Sequence, residues 1–431
     1  MAMLAHGFNR GYSGAMPNPS GFAARRGALR LLDAVLRRGE TLDQAQSGAL
    51  NDVEGFADRA LARAIAGEVL RWMRDLDALI NSATRKPLPA DAKARHVLRI
   101  MLAQALRLET PPHAVIATGL PLLAGGPRRL AHGVFSTLMK RDAKLPETPS
   151  LPAAVERRWG RDFAANVASG LAIPPPLDLT LRDASQTAEW AEKLQGFSLM
   201  PGHVRLPRGV AVRDLPGYDA GDWWVQDLAA SLPARLLGSP QDSESPRRVL
   251  DLAAAPGGKT LQLAAAGWQV TALDVSQKRL DTLRENCART GLAAEIVCAD
   301  ALEWEPDAPF DAILLDAPCS ATGTCRRHPD VLHRIGRGQI VELAELQEKL
   351  LTRATNWLKP GGRLVYAVCS LEREEGEQVA NNLGLPTDPI RADELPEGIA
   401  PHENGTLRTH PGLLAEKGGM DGFFIARWKA G

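Results

Sequence analysis

The chain has 431 residues, 45% of them hydrophobic and 24% charged, which is enough for two or three domains with sizeable cores and too apolar for a disordered protein. No run of about 18 consecutive apolar residues occurs and the first twenty residues lack a signal-peptide pattern, so the sequence predicts a soluble, cytoplasmic protein and no membrane partner. Formal charges cancel overall, yet residues 1–145 hold 21 Lys/Arg against 12 Asp/Glu and the remainder is acidic by the same excess; the first part either meets a polyanion or carries a solvated basic surface.

Residues 1–20, rich in Gly, Pro, Ser and Asn without a period, predict a flexible tail. From 21 to 145, "ARRGALRLLDAVLRRG", "DRALARAIAGEVLRWMRDLDALI" and "DAKARHVLRIMLAQALRLE" place apolar residues three and four apart with arginines on the other face, which predicts a compact all-α domain. Its arginines either grip RNA or dock on the acidic remainder. Residues 146–240 open on the linker "LPETPSLP", read as a helix over "AAVERRWGRDFAANVASGLA", and break again at Pro174–Pro176. "LDLTLRD" at 177–183 alternates like a strand, and residues 188–200 with "GHVRLPRGVAV" complete a small α+β subdomain. "GYDAGDWWVQDLAASLPARLL" leads into another helix, and "GSPQDSESPRR" marks the boundary to 241–431. Trp223 and Trp224 either line a path to the last domain or form a packing pair.

Over 241–431 the strands "RRVLDLAAA", "QVTALDVS", "AAEIVCAD", "FDAILLDAP" and "GRLVYAVCS" alternate with helical stretches. This is the pattern of an α/β, Rossmann-like, mostly parallel sheet, whose ligands lie at the carboxyl ends of the strands. After the first strand, "DLAAAPGGKT" (Asp251 to Thr260) opens a helix with small residues that let backbone amides approach a ligand. Its spacing is not that of a dinucleotide fingerprint, so a ligand without a pyrophosphate is expected, its carboxylate near the amides and Lys259. Asp274 ends the second strand, where a carboxylate accepts hydrogen bonds from ribose hydroxyls. Asp300 ends the third, within reach of an adenine edge. Together these form a site for S-adenosyl-L-methionine; otherwise the three carboxylates, Asp251 included, only cap helices.

The five cysteines, at 287, 298, 319, 325 and 369, show no Cys-x-x-Cys spacing, which favours neither a disulfide framework nor a metal site. Asp316 and Cys319 follow the fourth strand and Cys369 ends the fifth, so two thiols and a carboxylate converge beside the methyl donor. That chemistry suits pyrimidine carbon 5, which attacks a methyl sulfonium only after a thiolate adds at carbon 6. A carboxyl group at the ring nitrogen steadies the charge so created. Cys287 and Cys298 are expected as buried core thiols, and Cys325 stays open. Arg326, Arg327 and His328 of "CRRHPD" either reach an RNA backbone or are solvated loop residues.

The strings "DLAAAPGGKT", "DAPCSATGTCRRHPD", "VYAVCSLEREEGE" and "DGFFIARW", with the helical stretches of residues 21–145, resemble the RNA cytosine-5 methyltransferases of the bacterial Fmu/Sun type that carry an N-terminal NusB-like domain. The resemblance implies a NusB-like RNA-binding domain over 21–145, an RNA-recognition subdomain within 146–240 and a methyltransferase domain over 241–431. It implies a donor site of Ala253, Ala254, Ala255, Pro256, Gly257, Gly258, Lys259, Asp274, Asp300 and Asp316, and methylation of a cytosine in 16S rRNA, naked or partly assembled, without a metal. It further implies that Cys369 is the nucleophile, that Asp316 steadies the base and that Cys319 assists release of the adduct. Ala253 stands where the family often has cysteine, and Ser136 lies near a position where it often has asparagine. Two rivals remain: a tRNA cytosine-5 methyltransferase, and a non-catalytic NusB-like assembly factor.

Overall fold

The computed structural model describes residues 21–240 and 247–431; the tail expected over 1–20, and residues 241–246 of the Ser/Pro/Asp-rich boundary, lie outside them. The described chain forms two units, one of residues up to 69 with 76–145, the other of 70–75 with 146–431. No described helix is long and apolar enough to cross a membrane.

The first unit is built from helices α1 (Phe22–Arg38), α2 (Leu42–Ala49), α3 (Phe56–Arg71), α4 (Met73–Ser82), α5 (Lys93–Arg107), α6 (Pro112–Gly119) and α7 (Gly125–Lys140). The three- and four-residue spacing becomes a core of Leu31, Leu32 and Val35 of α1, Val97, Ile100 and Met101 of α5, and Phe135 and Leu138 of α7. Gly39 closes α1 in the left-handed region, and Thr41 with Gln44 forms a capping box that opens α2. The stretch read as one helix across "EVLRWMRDL" breaks at Trp72, which is buried. Several arginines of this unit point inward. Arg99 grips Asp77 through two bonds of 2.8 and 2.7 Å, Arg95 lies 3.1 Å from the same carboxylate, and Arg25 donates to Gln104 at 2.7 Å. Burial, and then Arg99, push the His96 imidazole down to about 4, so it stays neutral at pH 7.

The second unit begins with α8 (Ala153–Trp159) and α9 (Arg161–Ser169). The sequence reads them as one helix, but Gly160 takes φ 79° between them, a conformation that favours glycine. Strands β1 (Leu177–Leu181), β2 (His203–Leu206) and β3 (Trp223–Val225) form an antiparallel sheet in the order β2-β1-β3, covered by α10 (Thr187–Lys193). Trp223 is packed into the core of this layer with Leu179 and Val204, and Trp224 donates to Gln226 at 2.8 Å. Both indoles are buried, so neither lines a path.

The larger sheet contains β4 (Arg248–Leu252), β5 (Gln269–Asp274), β6 (Glu295–Cys298), β7 (Phe310–Asp316), β8 (Leu358–Val368), β9 (Leu407–Arg408) and β10 (Phe424–Lys429), in the order β6-β5-β4-β7-β8-β10-β9. The first five are parallel, as their alternation with helices predicts, and β10 runs antiparallel to both of its neighbours. Alternate residues supply opposite layers. Val249, Leu314 and Val365 pack with α11 (Leu228–Leu237) on one face; Leu250, Ile313 and Tyr366 face α15 (Arg337–Asn356) on the other. A division at 240 therefore separates α11 from the sheet it covers. Helices α12 (Gly258–Ala265), α13 (Gln277–Thr290) and α14 (Val331–Arg334) complete the described layers. Strand order reverses beside β4, which places the ligand crevice between the ends of β4 and its neighbours.

At the end of β4, Asp251 is fully buried; Thr260 donates to one oxygen at 2.5 Å and the other has no partner. Burial pushes its carboxyl up to about 7. Because the folded protein then keeps a proton that the unfolded chain has lost, stability falls as pH rises from about 4 to about 7 and levels beyond. Asp251→Asn is expected to gain stability over the wild type across that window, by no more than about 4 kcal/mol at pH 8 and little at pH 4; urea titrations at several pH values measure it, and a pH-independent difference would contradict the assignment.

Candidate active site

The register of the parallel strands brings the chemistry together. Asp316, the last residue of β7, lies opposite Ala367 of β8, and the amide of Ala317 donates to the Ala367 carbonyl at 2.9 Å. The loops that leave these two strands are therefore neighbours. The Sγ atoms of Cys319 and Cys369 stand 3.4 Å apart. The Cys319 thiol is pushed well above the usual thiol range, first by its hydrogen bond to Cys369 and then by burial. It holds its proton at neutral pH.

Beneath the thiols lies a buried carboxylate. Glu375 accepts from the Ser320 amide at 2.7 Å, the Ser370 hydroxyl at 2.6 Å and the Gln347 side chain at 3.1 Å, and also from the Ser320 hydroxyl. Ser320 follows Cys319 and Ser370 follows Cys369, so one side chain ties both cysteine loops. The Tyr366 hydroxyl donates to the Glu375 carbonyl at 2.5 Å and to Gln347 at 3.1 Å. Glu374–Gln378 forms a single π-helical turn, a feature that recurs at functional sites. Backbone bonds from Gly323 to the Cys369 carbonyl (3.0 Å) and from Gly422 to the Gly323 carbonyl (2.8 Å) add a third loop. The sequence reading gave Glu375 no role, because "EREEGE" resembles a solvated acidic run; its only signal is the position just past a cysteine at a strand end.

Lys259 Nζ lies 2.6 Å from Asp316 Oδ2 and 5.4 Å from the Phe423 ring centre. Burial opposes its charge, but Asp316 more than offsets this and holds the ammonium above its ordinary range. The residue expected near a ligand carboxylate is thus joined to the Asp316 carboxylate, with two N–H groups left over.

The β4–α12 turn follows Asp251. Ala253 takes φ 64° and Gly257 φ 107°, and a Cβ on Gly257 would meet Leu283 at 2.8 Å, so glycine is required there. Ala254 and Ala255 are buried, the peptide bond before Pro256 is cis, and Gly258 opens α12. Asp274 is buried, accepting from the Ala255 amide at 3.1 Å and the Ser276 amide at 2.9 Å, one bond on each oxygen. Asp300 is exposed and accepts from the Leu302 amide at 2.8 Å. Ala253, Asp274 and Asp300 line one cavity of about 220 Å3 that Pro318 closes toward the thiols. Of the residues expected at the donor site, these three share the cavity; Ala254 to Lys259 and Asp316 do not line it.

Other expectations change. Arg326 does not face solvent: it is buried, bonded to Asp227 at 2.9 Å, the Gly418 carbonyl at 2.6 Å and Asp421 at 3.4 Å. Arg327 binds Asp421 as well, at 2.8 Å through Nε. The arginines of "CRRHPD" thus hold the loop to the C-terminal segment, because two buried carboxylates need cationic partners. Cys325 is buried and its thiol is pushed up to about 12, chiefly by burial, which leaves it inert. Cys287 is half-buried, whereas Cys298 is exposed, since it ends β6 at the open edge of the sheet.

The model of the 16S rRNA methyltransferase RsmB/F family matches residues 236–429, and that of the NusB family matches residues 23–122. Ribosomal RNA small subunit methyltransferase B of Xylella fastidiosa strain Temecula1 is 34% identical, over 94% of this chain and 98% of its own. The protein of the same name from Pseudomonas syringae pv. tomato strain DC3000 is 33% identical over 85% and 88%. Among solved structures, NSun6 from Pyrococcus horikoshii shares the fold at 19% identity, with a TM-score of 0.55 over 64% of this chain and 98% of that one. Given a helical NusB unit, a mostly parallel Rossmann-like sheet and relatives of this identity over almost their full length, the chain belongs to the RsmB/F family of 16S rRNA methyltransferases.

Proposed function

We propose that the chain transfers a methyl group from S-adenosyl-L-methionine to carbon 5 of a specific cytosine in 16S rRNA, through a covalent bond between Cys369 and carbon 6 of the base. The observation that carries this reading is the thiol pair, 3.4 Å apart beside the Asp316–Lys259 ion pair. Methylation of an oxygen or an exocyclic nitrogen has no use for a thiol nucleophile, whereas pyrimidine carbon 5 needs one.

The fit of the donor rests on the crevice at the end of β4. The turn from Ala253 to Lys259 brings backbone close where Gly257 has no room for a side chain, and Asp274, paired with Arg279 at 3.6 Å, lines the cavity with it. Asp274 would hold the ribose, Asp300 the adenine edge, and the amides opening α12 the carboxylate. When bound, S-adenosyl-L-methionine supplies an electrophilic methyl group.

The chain's own residues do the rest. Asp316 faces the ring nitrogen and amino group: its carboxylate accepts from the amino group, and a proton passed to the ring nitrogen from the Lys259–Asp316 pair neutralises the negative charge that the addition places there. The Cys369 sulfur forms a bond to carbon 6, and the C5–C6 electron pair makes carbon 5 nucleophilic. After methylation a base takes the carbon-5 proton, the C5–C6 double bond re-forms, and the S–C6 pair returns to Cys369. The protonated Cys319 donates a hydrogen bond to the departing thiolate. Such chemistry needs both faces of the ring, so the target is single-stranded or flipped from its stack. Naked or partly assembled 16S rRNA is the expected acceptor; equal transfer to mature subunits, or to tRNA, would contradict this substrate.

With labelled donor and 16S rRNA, Cys369→Ala is expected to abolish both methyl transfer and the denaturation-resistant protein–RNA adduct, while Cys319→Ala accumulates the adduct as turnover falls. Reversed behaviour on a denaturing gel would make Cys319 the nucleophile. Glu375→Gln turns an N–H group toward donors that now converge on a carboxylate. Its kcat is expected to fall about 100-fold through misplacement of the thiols, with donor affinity by calorimetry unchanged. A wild-type kcat in that variant would mean that the cysteine loops hold their places without the carboxylate.

A further inference from the structure

We propose that a cleft on the flank of the Cys369 loop holds one nucleotide of the RNA next to the target cytosine, its base against Trp159 and Phe163 and its phosphate at Arg373. The inference rests on RNA being the substrate and adds a recognition site to that reading. The cleft has a volume of about 530 Å3, within the range of roughly 300–1,000 Å3 in which ligands of this size are held. Its wall includes Leu371, two residues past Cys369, and Arg373, four residues past it. An extended chain spans at most about 3.6 Å per residue, so the cleft lies within a few nucleotides of the reacting base.

The aromatic side of the cleft comes from the break at Gly160. Ending α8 and restarting α9 there puts Trp159 and Phe163 side by side, ring centres 6.1 Å apart and planes at 69°, with His410 a further 5.6 Å from Phe163. Both rings are only half-buried. Aromatic faces left open beside a catalytic loop are the platforms on which single-stranded bases stack.

The polar side is equally selective. Arg158 is held by Glu372 at 2.9 and 3.1 Å, and Arg408 by Glu377 at 2.5 and 3.2 Å. These two cations are neutralised and serve the wall. Arg373 is exposed and makes no ion pair among the described residues, and neither does Glu374 beside it in the same wall. A wall whose other arginines are paired, with partly exposed rings and one exposed guanidinium, fits a nucleobase with a single phosphate better than a polyphosphate or an acidic peptide.

The test measures binding of a 16S rRNA transcript by the full chain, separately from methyl transfer. Trp159→Ala and Arg373→Ala are each expected to weaken RNA binding about 5- to 100-fold while donor affinity stays at the wild-type value; the thermal midpoint is unchanged in Arg373→Ala and lowered in Trp159→Ala, whose ring also packs on the neighbouring core. Trp159→Phe should restore most of the binding. In ultraviolet-irradiated wild-type complexes, mass spectrometry should find nucleotide attached to a peptide containing Trp159 or Phe163. Wild-type RNA binding in both alanine variants would overturn the proposal, as would cross-links confined to other peptides. Loss of methyl transfer in the wild type, with binding still sensitive to Trp159, would instead overturn the proposed reaction and leave this site standing.

Discussion

Four hydrogen bonds converge on the buried carboxylate of Glu375, and the arrangement of the site depends on them. Parallel pairing of β7 and β8 brings two strand ends together, but each cysteine sits past its strand, where no ladder bond fixes it. The carboxylate supplies the missing constraint by binding the residue after each thiol and, through Gln347, the helix behind them. A buried carboxylate with this many donors is satisfied, and the network is rigid because loosening any member leaves a charge without its partners. The distance between the thiols is thus set by a side chain that touches neither sulfur.

The same environment acts on Cys319, whose ionisation is opposed by its hydrogen bond to Cys369, by burial and by Glu375, while Tyr366 is pushed well above its usual range by burial and by Cys319 and Glu375. Cys319 therefore keeps its proton in this cluster.

The catalytic sheet was legible because parallel strands buried on both faces read as unbroken apolar runs, as in "AILL" of β7 and "LVYAV" of β8. The strand β10 was not, since "FIARWK" contains an arginine. Arg427 is nonetheless buried, held by Glu394 at 2.7 and 3.0 Å and by Asp388 at 3.2 Å. Arg326 misled for the same reason. A basic residue in a loop is solvated unless distant carboxylates meet it, and Asp227 and Asp421 lie far from it in sequence. Motif spacing gathered the donor-site residues and the thiols, whereas the carboxylate beneath the thiols depends on long-range pairing that spacing does not encode.

Charge carries a related lesson about how this chain meets RNA. The excess of basic residues over 1–145 overstates the cationic surface of the first unit, because Arg25, Arg95 and Arg99 are buried on internal partners. Arg128 and Arg129 of α7 remain exposed. The part of the chain with the thiols is net acidic, and most arginines near its catalytic loops are paired with carboxylates. Long-range attraction of a phosphate backbone is therefore weak around the chemistry, and affinity there must come from contacts of short range. Stacking on open rings and a single phosphate contact meet that need: neither depends on net charge, and both position a base instead of merely concentrating a polyanion. For the reaction proposed above, in which a thiol adds to one face of one pyrimidine, such placement gives more than a stronger field, since a base held an ångström out of line is bound without reacting.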